Sequence, residues 1–294
     1  MASKKATQAE ESTAIVRVHQ SLLALQNAAE IRESVKENLG TRGVSRFDLQ
    51  SIQPANGGVP LFVVKDALEG ESNIKAFEGV AVFWNDYRAF WQEAYGADSG
   101  EPPDCQSADM LTGYGSIGQG DSHRTCKTCP MNQWGSAASV GNGHEDSKSK
   151  ACKESRAFFV LRTDQEENLF PSLLKVTAGG LKQMTTVMFQ LAGRGIPYHK
   201  ALFRFSVEIA KGAFGPYGTV KIEFVRRLND EEAAAVLAYS KAMKAAFVNV
   251  DPFEREPSET SAEAPGEEQG AYEEQGEEAE EATPEAGSEE TAPF

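Results

Sequence analysis

The sequence contains few of the residues and patterns on which metal-dependent catalysis and membrane insertion depend. It has only four histidines and four cysteines among 294 residues. The histidines form neither a His-Glu-x-x-His motif nor a deaminase-type pattern of His, Cys and Glu, and residues 1–250 contain no paired-acid motif. No apolar run reaches the ~20 residues that a membrane-spanning helix needs. These absences argue against a metalloenzyme such as a nuclease, and we expect a protein that binds rather than catalyses.

The N-terminal residues also lack the apolar segment of a secretory signal peptide. We therefore expect a cytoplasmic protein in a reducing compartment. In such a compartment, four cysteines indicate a metal site more often than disulfides. Two disulfides, or unrelated buried thiols, are the alternative interpretation.

All four cysteines lie in one stretch, and their spacing indicates a metal site. A Cys-x-x-Cys pair followed by Pro130 places two thiolates on a single tight turn, with one further cysteine on each side of it. Four soft ligands without a redox requirement suit one tetrahedral, structural Zn²⁺ ion. His123 and His144 are nearby in sequence, and either could replace Cys105 as a ligand. The predicted zinc ligands are Cys105, Cys126, Cys129 and Cys152.

The composition around these cysteines supports the same prediction. Residues 100–155 are rich in Gly, Ser and Asn and poor in aliphatic side chains. A structureless loop of this length is uncommon inside a compact domain unless something holds it. A zinc ion would hold it, so this argument is independent of the cysteine spacing.

The net charge of −15 resides in the C-terminal segment. Residues 251–294 include 16 acidic residues and one basic residue, which give −15, whereas residues 1–250 hold the remaining 28 acidic and 28 basic residues. A neutral body is compatible with a local basic groove. The segment 251–294 consists mainly of Glu, Gly, Ala, Pro and Ser. Such a segment buries too little apolar surface to fold, and we expect it to be disordered.

Hydrophobic periodicity predicts a mainly β body with flanking helices, which is an α+β fold class. Helices are expected over residues 14–39, 180–192 and 233–248, the last of them capped by Asn229. Strands are expected over residues 47–52, 61–64, 74–84, 156–162, 172–176, 200–210 and 219–225, the last two as a hairpin. The predicted domain organisation is a disordered segment 1–13, a body 14–250 that includes a zinc loop 100–155, and a disordered tail 251–294.

Aromatic and basic side chains are concentrated around the zinc loop. Unpaired bases stack on aromatic rings, and Lys and Arg follow the phosphates of a single strand. The alternative is that many of these rings fill the core, but the neighbours of Trp134 and Tyr114 are polar and glycine-rich. The candidate DNA-binding residues are Trp84, Tyr87, Arg88, Trp91, Tyr114, Arg124, Lys127 and Trp134.

The chain ends in Glu289-Glu-Thr-Ala-Pro-Phe294, and this tip is a candidate partner-binding element. A terminal aromatic behind acidic residues offers a ring, a carboxylate and flanking charge to a basic-rimmed pocket. The tip resembles the acidic tail of bacterial single-stranded-DNA-binding proteins. The matching positions are Glu289, Glu290, Pro293 and Phe294, while Thr291 interrupts the acids and Ala292 stands where isoleucine is usual.

The body is more similar to bacteriophage-type single-stranded-DNA-binding proteins, and the run from Cys126 to Leu161 looks like a pattern found in phage proteins. This resemblance implies an OB-like barrel, built from strands between residues 47 and 225, with the zinc loop inserted. It also implies a non-enzymatic protein of a bacterial or phage-infected cytoplasm that coats and protects single-stranded DNA. The tip would recruit replication or recombination proteins. The alternative is a zinc-ribbon protein-interaction or transcription-type adaptor without single-stranded-DNA binding.

Overall fold

The computed structural model describes residues 22–92, 103–115, 123–140, 147–165, 168–212 and 215–251. These residues all fall within one unit that spans residues 1–256, and the unit 257–294 lies outside them. The predictions for residues 1–13 therefore fall outside the described part of the chain. The same holds for the tail beyond Asp251, including Glu289, Glu290, Pro293 and Phe294, and for His144.

The described residues form an α+β fold in which strands predominate. The helices are α1 (Ala28–Leu39), α2 (Ala178–Gly193) and α3 (Asp230–Phe247). The strands of the body are β1 (Ser51–Pro54), β2 (Phe62–Asp66), β3 (Gly70–Ile74), β4 (Ala76–Phe90), β8 (Lys153–Arg162), β9 (Ser172–Thr177), β10 (Ala201–Gly212) and β11 (Gly215–Arg227). Three short strands precede β8, namely β5 (Cys105–Ser107), β6 (Thr112–Gly115) and β7 (His123–Thr125).

All these strands belong to one sheet that is organised around β4. From one edge inward, the order is β3, β2, β1, β9, β8 and β4. The start of β4 pairs with β10, where Phe203 lies opposite Gly79, and the end of β4 pairs with β5, where Cys105 lies opposite Phe90. The cysteine region is therefore attached to the end of the longest strand of the sheet.

Two hydrophobic cores lie on opposite faces of this sheet. On β8, Ala157, Phe159 and Leu161 contribute to the core that α1 and α3 cover, whereas Phe158 and Val160 contribute to the core that α2 covers. Because β8 is buried on both faces, its sequence is a continuous apolar run rather than an alternation of apolar and polar residues.

The expected OB-like barrel is not closed by strand pairing. In the described part of the chain, β11 pairs with β10 alone. Helix α2 lies along β11, where Nε2 of Gln183 donates to the Ile222 carbonyl at 2.7 Å and Oε1 accepts from the Ile222 N–H at 3.1 Å. A side-chain amide thus satisfies backbone groups that a neighbouring strand would satisfy in a closed barrel.

Most of the predicted elements are confirmed. Helix α3 begins with a capping box in which the Glu232 N–H donates to Asn229 Oδ1 at 2.8 Å and the Asn229 N–H donates to the Glu232 carboxylate at 2.9 Å. The predicted hairpin is β10–β11. Residues 46–48 instead form a 3₁₀ turn, so the first strand begins only at Ser51. None of the described helices is long and apolar enough to cross a membrane.

Candidate functional site

The cysteine region forms a small structured unit at the end of β4. We call residues 103–115, 123–140 and 147–152 the cysteine module. Its strands β5, β6 and β7 form an antiparallel meander, and two 3₁₀ turns follow, Pro130–Asn132 and Ser136–Ser139. The described part of the loop therefore has short elements of its own, whereas the sequence predicted a structureless loop held by zinc alone.

Side-chain amides hold the Cys-x-x-Cys turn in place. The buried Asn132 donates from Nδ2 to the Cys126 carbonyl at 2.7 Å. Gln133 donates from Nε2 to the carbonyls of Lys127 and Cys129 at 3.2 and 3.1 Å. These side-chain bonds supplement the backbone bond from the Asn132 N–H to the Cys129 carbonyl at 3.0 Å, so the residues that follow the turn help to fix its shape.

The two flanking cysteines are tied to this turn and to the sheet. The Cys152 N–H donates to the Met131 carbonyl at 2.8 Å, and the Cys126 N–H donates to the Leu111 carbonyl at 2.8 Å. Cys105 lies opposite Phe90 at the end of β4. As a result, all four cysteines line one small pocket, together with Arg88, Phe90, Gln106, Ser107, Gly113, Met131 and Asn132.

Electrostatics within this pocket disfavour a thiolate at Cys152. Burial, together with the charges of Cys105, Cys126 and Cys129, raises the pKa of the Cys152 thiol to about 12, although Arg88 opposes this shift. A bound divalent cation would reverse this balance, because it offsets both the burial of charge and the mutual repulsion of thiolates. The donor set therefore fits a zinc ion chemically.

The four cysteines are present as thiols, so the disulfide alternative is not what the structure shows. Among the described residues, however, no group of three or more His, Cys, Asp or Glu side chains is arranged so that it could hold a metal ion as it stands. Zinc therefore remains a prediction.

Arg88 faces the interior rather than solvent. Its guanidinium donates to the Glu154 carboxylate at 2.9 Å and to the Met110 carbonyl at 3.2 Å. These bonds join β4, β8 and the cysteine module, and the Arg88 side chain is only 15% exposed. Arg88 is thus a structural tie and not an accessible phosphate contact.

Tyr87 and Trp84 pack within the body of the protein. This agrees with the alternative interpretation from the sequence, in which aromatic rings fill the core instead of stacking on bases. Tyr87 is 3% exposed, and its hydroxyl donates to the Val250 carbonyl at 3.2 Å. Trp84 is half-buried beneath the guanidinium of Arg156, whose Cζ lies 3.9 Å from the ring centroid. Arg156 is held there by Asp86, at 2.6 and 2.9 Å. Tyr87 is therefore buried, and Arg156 covers one face of Trp84.

The other described candidates for DNA binding are exposed or half-buried at the protein surface. Trp134 is 80% exposed, and Lys150 Nζ lies 5.2 Å from its ring centroid. Tyr114 is 47% exposed, Lys127 is exposed, and Trp91 is half-buried. The side chains of Arg124 and His123 lie outside the described residues.

Trp91 lies in a groove of about 730 Å³ between the cysteine module and the body. The groove brings together residues from β1, β4, β8, β9, β11, the start of α2 and the module. Sequence reasoning missed three of its residues, because they belong to segments far apart in the chain and none stands in a recognisable motif. These residues are Lys153, Lys175 and Tyr217.

The site therefore combines a cysteine pocket with two surfaces that carry aromatic and basic side chains. Comparison with known proteins adds no assignment to this geometry. No protein-family model, no curated protein and no solved structure matches the chain.

Proposed function

We propose that the protein binds single-stranded DNA without catalysis, coating and protecting it during replication or recombination. The observation that carries the proposal is the pairing of Trp134 with Lys150. A tryptophan that is 80% exposed has a stacking face open to solvent, and an ammonium group lies 5.2 Å from its ring centroid. Base stacking on exposed rings and phosphate contacts from nearby lysines together define sequence-tolerant single-strand binding.

The cysteine module holds this aromatic in position. The Gly135 N–H, next to Trp134, donates to the Lys148 carbonyl at 3.2 Å, and the Ala137 N–H donates to the Ser149 carbonyl at 3.1 Å. The turn that carries Trp134 is thereby tied to the segment that leads into Cys152. We propose that one structural Zn²⁺ ion held by the four cysteines links this segment to the Cys126–Cys129 turn. Zinc supplies a cross-link there and no catalytic function.

The proposal also includes an assignment of the mainly β body to an OB-like fold. We propose that the curled sheet is an OB-like scaffold into which the module is inserted. The support is that β1, β2, β4, β8, β9, β10 and β11 contribute side chains to one shared core, as the strands of a barrel do. On the side of β11 that has no neighbouring strand among the described residues, Gln183 of helix α2 hydrogen-bonds to the backbone of Ile222.

The acidic tail completes the proposed function. Glu289, Glu290, Pro293 and Phe294 would bind replication or recombination proteins, since a terminal ring and carboxylate suit a basic-rimmed pocket. The 16 acidic residues of segment 251–294 would compete weakly with DNA for basic surfaces of the body. DNA binding would then release the tip for its partners.

A fluorescence titration tests the DNA-binding proposal. Wild-type protein should bind a single-stranded oligo(dT) tightly and a duplex of the same length weakly. Trp134→Ala should weaken single-strand binding by about fivefold or more, because stacking contributes ~1–3 kcal/mol per base. Trp134→Phe is the matched control, since it keeps a ring. Equal binding of Trp134→Ala and wild type would remove the observation on which the proposal rests.

An adaptor that binds protein instead of DNA is the second candidate. The same exposed Trp134 favours it, because tryptophan is enriched at the centres of protein interfaces. A gel-shift assay with single- and double-stranded oligonucleotides separates the two candidates, since the adaptor shifts neither.

A further inference from the structure

The groove beside Trp91 is wide because its floor is made of small side chains. Ala89 of β4 lies opposite Lys153 of β8, and Ser155 of β8 lies opposite Thr177 of β9. Ala89 and Ser155 are both buried beneath the groove. Residues this small leave space above the sheet that larger side chains would fill.

Two walls of different origin enclose this floor. One wall belongs to the cysteine module and contains Ala137, Val140 and Ala151. Ala137 and Ala151 pack in one cluster with Cys152, so the cysteine pocket and this wall share a small core. The opposite wall belongs to the body and contains residues 53–57, the start of α2, Tyr217 and Gly218.

Glycines set the position of the Tyr217 ring in the body wall. A Cβ on Gly179, in the first turn of α2, would lie 2.7 Å from Thr219 Cγ2 and 3.3 Å from Tyr217 Cε2. A Cβ on Gly212 would lie 3.0 Å from the other side of the same ring. The ring therefore lies close against backbone on two sides, yet Tyr217 remains 43% exposed. It is an oriented aromatic surface at the rim of the groove.

Among the residues that the structure describes, the charges that line the groove are positive in sum. Lys153 and Lys175 contribute two ammonium groups. The Lys153 ammonium donates to the Lys150 carbonyl at 2.6 Å and to Ser149 Oγ at 3.3 Å, and Lys175 interacts electrostatically with Arg46 and Asp251. Glu154, the one carboxylate among the described lining residues, is paired with Arg88 at 2.9 Å and with Lys150 at 3.5 Å. Residues 1–250 as a whole are neutral, so this local excess is a property of the groove and not of the body. A polyanion is the ligand that such a surface attracts.

We propose that this groove binds a segment of single-stranded DNA, with bases stacked on Tyr217 and Trp91 and the intervening phosphates held by Lys153 and Lys175. The inference rests on the proposed function and extends it to a second surface, on the body side of the module. Thr177, Ala178 and Gly179 at the start of α2 also line the groove, and the Thr177 side chain does not cap the helix, so the positive end of the helix dipole favours a phosphate nearby. Paired bases have no open faces to offer the two rings, so the groove discriminates against duplex DNA.

Site-directed variants test this assignment by fluorescence anisotropy with labelled oligo(dT). Tyr217→Ala should weaken binding by about tenfold, whereas Tyr217→Phe should retain it because the stacking ring remains. Lys175→Gln should lower the dependence of log affinity on log salt by about 0.7, the value for one phosphate contact on a single strand. Lys182→Gln, which removes an exposed lysine of α2 outside the groove lining, is the matched control and should change neither quantity.

The outcomes separate this inference from the proposed function. If wild-type protein binds no single-stranded DNA, both fail. If wild type binds and Trp134→Ala weakens binding, but Tyr217→Ala and Lys175→Gln bind as wild type does, the groove assignment alone is overturned. A second experiment does not depend on the folding of any variant. Wild-type protein is photocrosslinked to an oligonucleotide that contains 5-iododeoxyuridine. Crosslinks to peptides containing Tyr217 or Trp91 support the groove, and crosslinks confined to the peptide containing Trp134 overturn it.

Discussion

Nε2 of Gln106 donates a 3.1 Å hydrogen bond to the carboxylate of Asp251. Gln106 follows Cys105 in β5, and Asp251 is the first residue of the acidic segment. The hydroxyl of Tyr87 donates to the neighbouring Val250 carbonyl at 3.2 Å. The point at which the tail leaves the body is therefore attached to the cysteine module, and the state of the module is expected to affect the tail.

We expect one zinc ion per chain, and its removal should loosen the module. Chelation, or the double substitution Cys126→Ser with Cys129→Ser, should increase hydrogen exchange in residues 103–115, 123–140 and 147–152, and also at residues 248–251 through Gln106. Strands of the hairpin β10–β11 are the internal control and should keep their protection. Metal analysis of purified protein checks the premise, and a preparation that folds normally without zinc would contradict it.

Deletion of residues 252–294 should raise the affinity for single-stranded DNA, most strongly at low salt. The physical reason is that the tail is a polyanion that competes for the basic surfaces, and salt screens this competition. Affinities of the full-length and truncated chains at two salt concentrations provide the measurement. Deletion of Ala292, Pro293 and Phe294 alone is the control, which should leave DNA affinity unchanged and abolish partner recruitment. A truncated chain that binds no more tightly would exclude competition by the tail.

DNA binding in the groove should weaken as the pH rises from about 7 to about 9. Burial, together with the nearby Arg46, lowers the pKa of Lys175 to about 8, although Asp251 acts in the opposite direction. Lys175 is charged below this pKa and neutral above it, so its phosphate contact is lost as the pH increases. Lys153 and the paired Glu154 also face the groove. The affinity of Lys175→Gln should vary less with pH than that of wild type, and parallel pH profiles would refute the assignment.

The same pKa shift has a consequence for stability. The pKa of Lys175 is lower in the folded protein than the ordinary value of 10.5, so the unfolded chain binds more protons between these two values. The contribution of Lys175 to the free energy of unfolding therefore rises with pH through this range. Comparison of wild type with Lys175→Gln in urea at pH 7.5 and 9.5 measures the difference.

Gln183→Leu should lower the free energy of unfolding by about 1–3 kcal/mol, because it leaves the N–H and carbonyl of Ile222 without their partners at the gap in the sheet. Gln190→Leu on the same helix is the matched control, since Gln190 is exposed, and it should have little effect. Urea denaturation provides both values. Equal stabilities of the two variants would show that α2 covers β11 by apolar packing alone.

The candidate site shows which kinds of prediction the sequence supports. The polar neighbours of Trp134 and Tyr114 favour a surface position, and both side chains are exposed. Tyr87, in an apolar strand, is buried. Arg88 could not be placed from the sequence, because its partner Glu154 lies 66 residues away and is brought to it by the pairing of β4 with β8.

The sequence by itself determined the longer helices and strands of the body, since their signals are local. Period-two and helical patterns, the Asn229–Glu232 capping box and the Cys126–Cys129 turn each depend on residues within a few positions of one another. The tertiary structure alone decided which side chains share a surface. The groove joins Trp91, Lys175 and Tyr217 only because β4, β8 and β9 pair in one register and the hairpin curls back toward β1. Strand pairing over such sequence separations is set by the packing of the whole core, which no local pattern encodes.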